Sequence, residues 1–109
     1  MEKSKLPFDQ IREIVHNIVS TFLDSHYSEA TYFGEFYFND GEKVHIVNTG
    51  SEILMRRWNA LPWKSGSFVE AFVSNDLMKT FANADATNKK AILFYTLLVS
   101  NIGMPAAIL

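Results

Sequence analysis

The sequence predicts an α+β domain, a small antiparallel sheet covered by an N-terminal amphipathic helix and by helices from the C-terminal half. Three observations carry that expectation. Apolar residues recur at helical spacing from Phe8 to Leu23. Two short runs rich in aromatic and β-branched residues flank Asn39-Asp40-Gly41, a turn signal. The last third of the chain is again apolar at helical spacing. With 109 residues and no long linker or repeat, residues 1–109 read as one domain.

The first element is the clearest. Ile11, Ile14, Val15, Ile18, Val19 and Phe22 form one stripe, with Asp9, Arg12, Glu13 and His16 on the other side. Pro7 suits the first turn, and Ser25-His26 marks the exit. A hairpin follows, Thr31–Phe38 and Lys43–Asn48. A three-residue Asn-Asp-Gly loop with Gly41 left-handed pairs Phe36 with Val44 and Glu35 with His45, and gathers the apolar side chains on one face. Thr49-Gly50-Ser51 then breaks the strand, and a short helix is expected from Glu52 to about Ala60, closed by Leu61-Pro62.

Ser67–Val73 holds strand residues but also the Ser67 and Glu70 spacing of a capping box. The β-branched and aromatic content favours a third strand, ahead of a helix opening at Ser74 or Asn75 through Leu77, Met78 and Phe81. The final helix is expected from Asp85–Thr87 to Ile102, with Gly103 as a left-handed stop. Its uncharged stretch, 91–109, is near the length of a membrane span. Thr96, Ser100, Asn101, Gly103 and Pro105 interrupt it, which favours a buried helix or one shared with a second copy of the chain.

Composition narrows the function classes. The chain has no Cys, which removes thiolate chemistry and disulfides and leans towards a reducing, cytoplasmic setting. Its opening, MEKSKLP, leads into no apolar signal-peptide core. A net charge of −2 with scattered basic residues argues against nucleic acid, although Tyr32, Phe33, Phe36 and Tyr37 could offer a stacking surface. The five glycines match no phosphate-binding loop, and no H-x-x-x-H or G-x-S-x-G motif is present. Asp24, His26 and Glu29 form the best local metal-ligand cluster, but solvated polar residues at a helix end explain them equally well. No cofactor is implied, and nothing in the pattern argues for an enzyme.

What remains is aromatic and aliphatic material suited to contacts. Trp58 and Trp63 flank a proline beside Arg56 and Arg57, while Phe33 and Tyr37 fall on the outer face of the expected hairpin. Trp, Tyr and Arg are the types most enriched at interface hot spots. The expected function is therefore a non-enzymatic interaction module, such as a small inhibitor, immunity-type antidote, adaptor or chaperone. Its partner would be another protein, with self-association through the C-terminal helix as an added option. The tail Ala106–Leu109 could pack on the body or be captured by a partner. The rival expectation is a small-molecule-binding or catalytic pocket between sheet and helices, lined by Tyr32, Tyr37, His45 and Trp63.

Overall fold

The computed structural model describes residues 6–27 and 38–108. Among them there is no strand: the order is α1 (Phe8–Tyr27), α2 (Asp40–Arg57), α3 (Ser67–Val73), α4 (Leu77–Asn83), α5 (Ala86–Asn101) and a 3-10 turn (Ala106–Ile108). The expected α+β fold is thus replaced by a helical one. Helix α2 is central, packing against α1, α5 and α3, while α4 lies mainly against α3.

The hairpin is the largest correction. Its second strand, Lys43–Asn48, lies inside α2, and the residues of its first strand up to 37 fall outside the described residues. Asn39-Asp40-Gly41 is a helix start. The Asn39 side chain accepts from the Glu42 N–H at 2.8 Å, and Glu42 Oε1 accepts from the Asn39 N–H at 3.1 Å. This reciprocal capping box satisfies two otherwise unpaired donors, and Gly41 has no positive φ. Beyond it Ile46, Thr49, Gly50, Ile53 and Leu54 are buried at three- and four-residue steps. Val44, assigned inward on the hairpin, is 62% exposed.

The helix expected from Glu52 is the second half of this same helix, because Thr49-Gly50-Ser51 continues it. The Ser51 hydroxyl donates to the Val47 carbonyl one turn back at 2.6 Å, so burial leaves it satisfied. The absence of a side chain at Gly50 lets the neighbouring helices close in. A methyl there would sit 3.1 Å from both Leu98 Cδ2 and Val19 Cγ1.

Two asparagines supply the stops. Asn59 and Asn75 have φ of 56° and 61°. At the first, the Ala60 N–H bonds the Met55 carbonyl at 2.8 Å and the Asn59 N–H the Arg56 carbonyl at 3.2 Å. At the second, Asp76 bonds Ala71 at 3.0 Å and Asn75 bonds Phe72 at 3.1 Å in the same pattern. Both are Schellman closures. The expected third strand, Ser67–Val73, is therefore the short helix α3, with Gly66 as its N-cap residue. Helix α4 opens after Asp76, whose side chain accepts from the Lys79 N–H, rather than at Ser74 or Asn75.

Helices α1 and α5 follow their periodicity. Ile11, Val15, Val19, Phe22 and Leu23 are buried from α1, and Ala91, Phe94, Tyr95 and Leu98 from α5. Asp85 caps α5 by accepting from the Asn88 N–H at 2.7 Å. Gly103 has no positive φ, so α5 ends in extended backbone at Ile102. Helix α5 is not buried all round, since Leu93 is 44% exposed. The tail folds back, with Ile108 buried and Met104 packed on the core. No described helix is long and apolar enough to cross a membrane.

Left-handed backbone costs any residue with a Cβ, and Asn tolerates it better than Ala. Asn59→Ala and Asn75→Ala should each lose about 1 kcal/mol in urea unfolding, whereas glycine at either position should be nearly neutral.

Candidate functional site

The turn leaving α2 builds the most featured surface of the described residues. Asn59 reverses the chain, Pro62 stiffens the loop, and Trp63 comes to rest over the start of α1. Its ring meets Phe8 edge-on, with centroids 4.9 Å apart and planes inclined by 72°, yet Trp63 stays 52% exposed. Beside it lies a cleft of about 340 Å3, lined by Arg56, Asn59, Leu61, Trp63, Lys64 and Glu70.

The cleft floor is electrostatically fixed. Arg56 Nε donates to Glu70 Oε2 at 2.7 Å and Nη2 to Oε1 at 3.3 Å, a forked pair joining α2 to α3. The Arg56 hydrogen bonds hold the Glu70 carboxyl below the usual carboxylate range, with Ser65 and Lys64 as smaller contributors. The same contact raises the Arg56 guanidinium. Ser65 is itself buried, and its hydroxyl lies near Glu70 without forming a well-directed hydrogen bond. Both charges stay partly in water, so the pair orients more than it stabilises.

The sequence-predicted residues divide into three groups. Arg56 and Trp63 are brought together at the cleft. Arg57 is exposed on the same last turn of α2, and Trp58 is half-buried against the core. Phe33, Tyr37 and Tyr32 lie outside the described residues, as do the first-strand partners assigned to Val44 and His45. His45 belongs elsewhere: its Nε2 and Asp85 Oδ2 are 3.0 Å apart on the seam between α2 and α5. The same seam carries Lys90 to Glu42 at 2.7 Å, and this bond lowers the Glu42 carboxyl. His16 is half-buried on α1, pushed down by burial and by Arg12.

Buried polar groups elsewhere are structural. Burial raises the Tyr95 hydroxyl, which donates to Asn88 Oδ1 at 2.7 Å inside the core. No group of three His, Asp or Glu side chains at metal-ligand spacing occurs among the described residues. Two further grooves are open: one between α1 and Ile102, lined by Ile18, Thr21 and Phe22, and a polar one between α3 and α4.

A second surface was not anticipated. Helix α4 presents Leu77, Met78 and Phe81 to solvent, at 68%, 81% and 46% exposure, and buries Thr80 at 4%. Its apolar residues were read as core. The spacing is amphipathic whichever way the helix faces, so only the Asn75 turn and Asp76 cap, which orient it, reveal that its apolar side points out.

Together these features define a small helical domain with an aromatic, charge-lined cleft and a separate apolar ridge. No protein-family model, curated protein or solved structure matches the chain.

Carboxylates with lowered pKa values stabilise the fold fully above their unfolded pKa and lose that contribution as pH falls through the folded one. Glu70 and Glu42 are both of this kind. Stability should therefore decline below about pH 4.3. Glu70→Gln should be less stable at neutral pH with a shallower acid limb, as read by urea melts across that range.

Proposed function

We propose that the protein is a non-enzymatic interaction module that binds another protein through the Trp63 cleft. The observation that carries this reading is a half-exposed tryptophan, braced by Phe8, beside a fixed Arg56–Glu70 pair. Rigid aromatics lose little conformational entropy on binding, and oriented charges select the partner's polar groups. Arg57 and Lys64 add positive charge at the rim, which favours a partner with an acidic edge. A small inhibitor, antidote, adaptor or chaperone acts in this way. The cleft is open rather than enclosed, which suits a protruding side chain of a protein better than an engulfed metabolite.

Affinity capture with the full chain, followed by titration of the recovered partner, tests the reading. Trp63→Ala should weaken that binding by about 30-fold, roughly 2 kcal/mol, while leaving the helical circular dichroism intact. Equal capture by wild type and variant would remove the cleft from the function. Thermal stabilisation by a metabolite class, abolished by Trp63→Ala, would replace the protein partner with a small ligand.

A further inference from the structure

Helix α4 is amphipathic in reverse. At 100° per residue Leu77, Phe81, Met78 and Ala82 fall on one side, and all four are exposed. The inward position is Thr80, whose hydroxyl returns to the Asp76 carbonyl at 2.6 Å. The chain thus holds a turn of helix by its polar side and turns a leucine, a methionine and a phenylalanine into water. Three large side chains at 68%, 81% and 46% exposure form a contiguous patch. Its area is on the order of 400 Å2, the size of patch that commonly marks a contact site.

We infer that this ridge is a self-association face, its occupant being α4 of a second copy of the chain. Charge supports a second copy over a foreign partner. Across residues 74–83 the only charged side chains are Asp76 and Lys79, one of each sign, and the whole chain carries only −2. A two-fold interface sets identical surfaces against each other, so a near-neutral rim raises no like-charge barrier. The ridge also has no charged group on its apolar side to orient an unrelated protein, whereas the Trp63 cleft has several.

Shape supports it as well. Leu77 and Phe81 make an i, i+4 ridge, which packs between the ridges of a crossing helix. An antiparallel pairing about an axis near residue 79 sets Leu77 of each copy against Phe81 of the other, with both Met78 side chains between them. Two such patches bury about 800 Å2 in total, short of the roughly 1,200–2,000 Å2 of stable complexes. The association is therefore weak and concentration-dependent. It is independent of the Trp63 cleft.

Sedimentation equilibrium of the full chain from micromolar to millimolar concentration reads it directly. Wild type should pass from monomer to dimer, and Trp63→Ala should do the same. Met78→Lys, which places two ammonium groups near the axis, should weaken dimerisation at least tenfold with unchanged helical content, while Met78→Leu should retain it. A wild type that stays monomeric at millimolar concentration overturns the inference, as does dimerisation unaffected by Met78→Lys together with Leu77→Ser. A monomer whose binding to a foreign protein is lost in Met78→Lys would assign the ridge to that protein instead, and also overturns it.

Discussion

The fold depends on a close approach at Gly50. Helix α2 is sandwiched between α1 and α5, and at its midpoint Val19 from one side and Leu98 from the other lie where a side chain would begin. Thr49 and Ser51, the small neighbours, are buried too. Glycine costs a helix interior about 1 kcal/mol relative to alanine. Here that cost is offset by the contacts it permits: Val15, Val19, Ile46, Ile53, Leu54, Phe94, Tyr95 and Leu98 are almost wholly removed from solvent around this crossing.

Polar contacts then fix what packing alone leaves free. Glu42 closes the α2 capping box and also receives Lys90, and Asp85 caps α5 while meeting His45. Each carboxylate therefore joins a helix start to the adjacent helix and sets their relative register. At the other end of α2 the Arg56–Glu70 fork does the same for α3. Because these pairs are partly hydrated, their value lies in orientation more than in net stability. The consequence for function is that the loop carrying Trp63 is pinned on both sides, by the Asn59 turn before it and by α3 after it.

Much of the helical framework was legible in the residues, and the errors have specific causes. Helices α1 and α5 declare themselves because their apolar spacing is long and regular, and Asp85 marks a start by capping alone. The hairpin was an error of local ambiguity. Asn39-Asp40-Gly41 is a good turn, but Asn39 with Glu42 is also a capping box, and the burial of Ile46, Gly50, Ile53 and Leu54 decides for the helix. Thr49-Gly50-Ser51 was read as a break because small residues end strands, whereas here they let helices touch. In Ser67–Val73 the strand propensity of Val69, Phe72 and Val73 is overridden by tertiary packing against α2. Within the candidate site Arg56 and Trp63 were found by residue type. The α4 ridge was missed because a period shows that a face is apolar, and not which way it points.

A double-mutant cycle at the α2–α5 crossing tests the Gly50 constraint most directly. In the Leu98→Ala background the steric barrier is removed, so Gly50→Ala should recover the full helix-propensity gain of about 1 kcal/mol. In the otherwise wild-type chain the same change should be at least about 1 kcal/mol less favourable, giving a coupling of that size. Additive unfolding free energies would contradict the account, since they would mean that nothing crowds α2 at this residue.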